Sequence, residues 1–196
     1  MIFLSRFKPT TYALAALIML IAPFSVSSEE RVVQPLDSKT QKQFVNGLKY
    51  ELMFRKLSRQ VFAEFEQNPS GKMQSDSIAL LNRIEAHNTR VMAPVREAFN
   101  VDTKIGCGDK VLASTVTTTL KVMPSLGFKY LEGSARRFVS QLEDIAKLSP
   151  EKYQDQMEYM VEHERALYRY LVLFNRGRYQ AADSIFKQFI KQYQVH

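Results

Sequence analysis

The chain has 196 residues, a formal net charge of +7, 45% hydrophobic residues and a single cysteine. One cysteine excludes an internal disulfide and any zinc site built from several cysteines. The basic residues are spread along the chain, which is typical of a solvated surface and predicts no nucleic-acid partner. Weak attraction to an anionic surface is the most that this charge permits.

The N-terminal segment has the features of a secretory signal peptide. Arg6 and Lys8 precede an apolar run at 13–22, and small residues follow at 25–28. A basic region, a short apolar core and small residues at the cleavage site form the signal-peptide pattern. The run is shorter than the roughly 20 residues that span a bilayer, although an uncleaved anchor is the alternative. We therefore predict a signal peptide over 1–27 and a periplasmic or secreted chain with no membrane span after cleavage.

The rest of the chain has the pattern of one all-α domain. An extended leader is expected over 28–37, and a single domain over 38–196. A capping-box pattern opens the first helix at Ser38, and a kink is expected at Pro94 in the second. Apolar residues recur every three or four positions, which predicts an antiparallel bundle of about six helices, four of them long. The predicted helices cover 38–65, 77–99, 109–123, 125–148, 151–175 and 179–193.

The helix at 109–123 is ambiguous in the sequence. Its β-branched run at 116–119 and the alternation up to Val122 also suit a strand. No partner strand is visible elsewhere in the sequence, so a helix is predicted. Cys107 lies just before it between two glycines, and we interpret it as a small residue in a turn, with reactivity or intermolecular pairing as the alternative.

The last third of the chain reads as a helical hairpin. Ser149 is expected to cap its first helix, with Pro150 at the first helical position. Gly177 lies where a helix C-terminus favours the left-handed conformation. The short connection makes the two helices antiparallel neighbours.

Four residues of this hairpin resemble a known repeat pattern. Gly177, Tyr179, Ala182 and Phe186 are similar to the turn and second helix of a tetratricopeptide repeat. The likeness covers about one repeat, whereas roughly three are needed for a stable array. Gln194 stands where that pattern closes on proline, and no second copy is evident upstream. A packed helical hairpin of any kind would also favour glycine at its turn and alanine at its crossing.

Several ionisable residues lie in phase with the apolar stripes of the four long helices. Carboxylates and imidazoles that point into a bundle are the ligands of di-metal proteins that bind iron or manganese, and they also bind zinc. The usual Glu-x-x-His spacing is absent, so a mixed metal site is the form that this hypothesis takes. The candidate ligands are Glu51, His87, Glu132, His163 and Glu164.

The alternative reading makes the same residues structural. Glu51 precedes Arg55 by four positions, and Glu132 precedes Arg136 by the same spacing, which suits ion pairs on a helix. Histidines beside an apolar stripe are more often hydrogen-bonded boundary residues than ligands.

Three functions follow as hypotheses. The first is an exported binding or adaptor protein, whose aromatic C-terminal hairpin holds a protein partner or a small apolar ligand. The second is a bundle enzyme that depends on Fe, Mn or Zn, and the third is an envelope structural or stress protein. The aromatic groove of the first hypothesis is assigned to Tyr168, Phe174, Tyr179, Phe186 and Phe189.

Overall fold

A computed structural model describes residues 37–67, 75–102 and 107–195. The predicted signal peptide and all but the last residue of the leader lie outside these residues. The described parts form six α-helices and one 3-10 turn, Glu151–Tyr153, which confirms the all-α bundle. The helices are α1 Ser38–Gln67, α2 Ser75–Ala98, α3 Cys107–Val122, α4 Pro124–Lys147, α5 Gln154–Asn175 and α6 Tyr179–Gln192.

The helices pack around one continuous apolar core. α1 contacts α2, α3 and α4, while α5 lies between α4 and α6, and α2 closes the other side against α5 and α6. Phe44, Leu48, Ile84, Met160 and Phe186 are fully buried, each from the apolar stripe of its own helix. Among the described helices, none is both long and apolar enough to cross a membrane.

The predicted starts of two helices need correction. Asp37, not Ser38, caps α1: its carboxylate accepts hydrogen bonds from the backbone N–H groups of Lys39 and Thr40 at 2.8 and 2.9 Å. Ser149 does not cap the helix that follows it, because its hydroxyl donates to the carbonyl of Ala146 at 2.8 Å. The 3-10 turn then intervenes before α5. At the start of α1, the helix dipole also favours the negative charge of the Asp37 carboxylate.

The ambiguous segment is helical, and α3 begins at Cys107, inside the predicted loop. Thr119 donates its hydroxyl to the carbonyl of Thr115 at 2.9 Å, so this β-branched residue is accommodated within the helix. α2 continues through Pro94.

The C-terminal hairpin forms as predicted. Gly177 has a φ of 73°, a conformation that glycine adopts without strain. The N–H groups of Gly177 and Arg178 bond back to the carbonyls of Phe174 and Leu173, which is a Schellman ending of α5. This turn places α6 beside α5 and directs Phe186 into the core.

Candidate functional site

A buried cluster of charges lies where α1, α2 and α5 meet. Arg55 of α1 is at its centre and is only 2% exposed. One guanidinium nitrogen, Nη1, donates to Oε1 of Glu85 at 2.7 Å, and Nη2 donates to Oε2 of Glu164 at 2.7 Å. Charge-assisted bonds of this length are the strong ones in proteins. Arg55 therefore joins three helices through a single side chain.

A second ion pair extends the cluster along α1. Glu51 is fully buried, and its two carboxylate oxygens accept bonds from Nη2 of Arg96 at 3.2 and 2.9 Å. Its Oε1 also lies 3.8 Å from Nε of Arg55. The cluster thus contains three carboxyl groups and two guanidinium groups, with one excess negative charge when every carboxyl is ionised.

His163 lies against the centre of the cluster in its neutral form. Burial and the neighbouring Arg55 charge hold its pKa well below the ordinary value for histidine. Its Nδ1 is 3.3 Å from Nη1 of Arg55, so Nδ1 accepts and the ring proton resides on Nε2. Nε2 is buried and has no hydrogen-bond partner among the described residues. Its distance of 3.8 Å from Oε1 of Glu85 is too long for a hydrogen bond.

The charges of the cluster are strongly coupled. Burial alone would lower the pKa of Arg55, but Glu85, Glu164 and Glu51 together raise it, so the guanidinium stays protonated. Burial raises the pKa of Glu85 and of Glu164, although Arg55 opposes the rise. Burial is the main cause of this rise in pKa, because it disfavours the charged form, and the neighbouring carboxyl groups add to it.

The structure brings together three of the five predicted metal ligands. Glu51, His163 and Glu164 belong to the cluster. His87 is only partly buried, and its Nδ1 lies 3.4 Å from Nη2 of Arg90. Glu132 accepts a bond from the side-chain amide of Asn175 at 2.7 Å.

The five predicted ligands do not converge. Within residues 37–67, 75–102 and 107–195, no group of three or more His, Cys, Asp or Glu is arranged to hold a metal ion. The guanidinium of Arg55 stands between the carboxyl groups of Glu85 and Glu164. The cluster is an ion-pair network in which the guanidinium group of Arg55 occupies the position that a metal ion would take.

Two members of the cluster could have been recognised from their register in the sequence. Arg55 follows Leu48 by seven residues and Arg96 follows Met92 by four, so both are in phase with apolar stripes. A charged residue in such a position has to find a buried partner. The sequence predicted that Arg55 pairs with Glu51, and these two side chains lie 3.8 Å apart, but it indicated no role for Arg96.

The predicted aromatic groove is largely core. Phe174, Phe186 and Phe189 are buried, and Phe186 stacks on Tyr170 with the ring centroids 4.4 Å apart. Tyr168 is partly buried against the core. Tyr179 packs edge-on against Phe174 with a centroid separation of 5.1 Å.

An open cleft lies beside the turn of this hairpin. It has a volume of about 390 Å³ and is lined by Phe174, Tyr179, Lys129 and Glu132 among others. Two of the predicted groove residues, Phe174 and Tyr179, and one predicted metal ligand, Glu132, meet in this cleft. Its lining combines charged and aromatic side chains, so it has little capacity to remove water from an apolar ligand.

A different cavity, which is partly open to solvent, is lined almost wholly by apolar groups. It has a volume of about 120 Å³ and lies between α1, α3, α4 and α5. Aromatic and aliphatic side chains line it, Phe62, Leu120, Leu131 and Leu167 among them. Arg55 and Glu164 contribute to its wall, so the charge cluster borders the cavity. No pattern in the sequence indicated this cavity, because it depends on the distances between four helices.

No protein-family model matches the chain, and comparison with curated proteins and with solved structures found no similar protein. Function therefore has to be inferred from the chemistry of the described residues.

Proposed function

We propose that this chain is a helical-bundle binding protein for a small apolar ligand, which it holds in the cavity between α1, α3, α4 and α5. The observation that carries the proposal is a cavity of about 120 Å³ whose lining is almost wholly apolar. Protein interiors are packed with few voids larger than a water molecule. An engineered cavity of about 150 Å³ with a similar lining binds benzene. A cavity of this size and character is thus suited to a compact apolar group.

The borders of the cavity support a binding role. Phe54 and Phe138 stack with their centroids 4.5 Å apart at one end, and the Arg55–Glu164 pair fixes α1 against α5 there. Walls held in this way keep the space open without a ligand, so less ordering is required on binding.

Export belongs to the same proposal. The signal-peptide pattern over 1–27 supports a periplasmic or secreted location for this binding protein. Determination of the N-terminal residue of the chain recovered after export tests this part. Recovery of the intact N-terminus in a membrane fraction would contradict it.

Calorimetric titration with benzene tests the binding itself. The cavity is close in size to the engineered one that holds benzene, so a single ring is a probe that fits. The exported chain, purified without detergent, is expected to bind benzene saturably in about equal stoichiometry.

A matched pair of variants locates the bound benzene. Ala135→Leu adds three carbons to the cavity wall, since Ala135 is buried there. At about 0.8 kcal/mol for each displaced methylene, affinity should fall about 50-fold. Ser140→Leu, which adds an apolar side chain at an exposed position of the same helix, should leave affinity unchanged. Equal binding by both variants would contradict the proposal.

A further inference from the structure

We propose that one face of α1 docks the protein, weakly and reversibly, on an anionic phospholipid surface. This lysine face consists of five residues, Lys42, Val45, Lys49, Met53 and Lys56. It takes no part in the lining of the apolar cavity, so the inference goes beyond the proposed function and does not depend on it.

The exposed charge of α1 is almost entirely positive. Over residues 38–63 the helix contains six basic residues and one acidic residue, Glu51. Glu51 is fully buried and bonded to Arg96, so it does not oppose the lysines at the surface. Although basic residues are spread along the whole sequence, this described stretch of α1 has no exposed acid. A surface of this kind attracts anionic lipid headgroups within roughly a Debye length.

The lysines are aligned along one side of the helix. Lys42, Lys49 and Lys56 follow one another at seven-residue intervals, which is about 20° short of two full turns. They therefore form a row that is about 21 Å long. Lys42 and Lys49 are exposed, and Lys56 is partly exposed. Because the row is straight, all three ammonium groups can approach a flat surface together.

Apolar side chains lie beside the lysines on the same face. Val45 and Met53 are within about 40° of Lys49 around the helix, and both are partly exposed. Neither is among the described apolar residues that form the core or pack against it. On helices that lie at a lipid surface, apolar contact and electrostatic attraction add to the binding strength. A nucleic acid would gain from the lysines alone, so a lipid surface is the partner that this face fits.

The lysine face and the cavity lie on different sides of α1. Ser58 and Phe65 line the cavity, and they are about 180° and 160° from Lys49 around the helix. Substitutions on the lysine face should therefore leave the binding of benzene unchanged, and benzene titration is a control for each variant.

Flotation with phospholipid vesicles tests this inference. At low salt, the exported chain should float with vesicles that contain phosphatidylglycerol and should not float with vesicles of phosphatidylcholine alone. Flotation should be lost in 1 M salt, in which the screening length is about 3 Å. Equal flotation with the two kinds of vesicle would overturn the inference, because charge would then have no part in the attachment.

A matched pair of triple variants locates the contact. The first variant, Lys42→Gln with Lys49→Gln and Lys56→Gln, should weaken vesicle binding about 100-fold, from about fivefold for each lysine. The second removes the same charge from exposed positions of α4 and α6, through Lys129→Gln, Lys187→Gln and Lys191→Gln. It should weaken binding by less than about threefold, because distant charges are screened. Equal losses in the two variants would overturn the inference.

Met53→Ser separates contact with lipid from attraction between charges alone. It should weaken vesicle binding about threefold to tenfold and leave the salt dependence unchanged, because it removes apolar contact and no charge. Unchanged vesicle binding by this variant, or equally tight binding of a DNA duplex by the unsubstituted chain at the same salt, would overturn the choice of a lipid partner. Failure of the unsubstituted chain to bind benzene would instead overturn the proposed function and leave this inference standing.

Discussion

Substitution of Arg55 by methionine is the sharpest perturbation of the charge cluster. Methionine retains a similar length and removes the guanidinium, which leaves Glu85 and Glu164 buried without their 2.7 Å partner. Removal of one member of a buried ion pair destabilises a protein by about 3–5 kcal/mol. The free energy of unfolding of a whole protein is about 5–15 kcal/mol, so Arg55→Met should lose a large share of its stability. Arg136→Met, at an exposed position, should change stability by less than about 0.5 kcal/mol.

The destabilisation of Arg55→Met should depend on pH in a defined direction. Without Arg55, the pKa of Glu85 and of Glu164 rises further above the unfolded value of about 4.3. A raised pKa in the folded state gives stability that is present below the unfolded pKa and is lost as the pH rises through the folded one. The variant should therefore lose most stability at pH 8 and least near pH 5.

Urea unfolding followed by circular dichroism at several pH values measures this effect. A triple variant that adds Glu85→Gln and Glu164→Gln to Arg55→Met removes the unpaired charges and should recover at least half of the lost stability. A loss below about 1 kcal/mol for Arg55→Met at pH 8 would refute the reasoning. The same conclusion would follow if the triple variant were no more stable than Arg55→Met.

Three other substitutions test separate parts of the structure. His163→Gln should reduce the fall in stability below about pH 6.5. The lowered pKa of buried His163 gives stability that is present above the unfolded pKa and is lost as the pH falls. An unchanged dependence of stability on pH in the variant would show that another group is responsible. Gly47→Ala should lower the free energy of unfolding by about 1–2 kcal/mol, since its Cβ would lie 2.7 Å from Ile145. Gly133→Ala is the matched control and should raise the free energy of unfolding by about 0.5–1 kcal/mol, because its added Cβ would have no neighbour closer than 3.8 Å. If urea unfolding showed the same change in stability for both variants, the close contact between Gly47 and Ile145 would be contradicted. Tyr159→Phe should destabilise by about 1–3 kcal/mol, as it leaves Asn88 without its 2.6 Å bond, and a loss near zero in the same melts would mean that this bond contributes little.

The periodicity of apolar residues was sufficient to predict the fold because each helix carries its own stripe. Gly177 fixed the end of α5, and its positive φ confirms why glycine is required there. The choice of a helix for 109–123 was right because no second strand could satisfy the backbone of an isolated one. The caps were predicted less well: Asp37 and Ser38 are both good capping residues, and the sequence does not determine which of the two takes the position.

The site was predicted only in part, for a physical reason. The register of Glu51, His163 and Glu164 showed that they point inward, but register does not determine which side chain of another helix they meet. Arg55 meets Glu85 and Glu164 across distances in sequence of 30 and 109 residues. The apolar cavity was not predictable for the same reason, because it arises from the spacing of four helices rather than from any local pattern.

The central claim is that the cavity holds a small apolar ligand, and methyl NMR of the protein with benzene tests it most directly. We expect intermolecular NOEs from the benzene protons to the methyl groups of Leu120, Leu131 and Leu167, which line the cavity. NOEs confined to surface methyl groups such as those of Val122, which is 70% exposed, or no NOEs at saturating benzene, would contradict the claim.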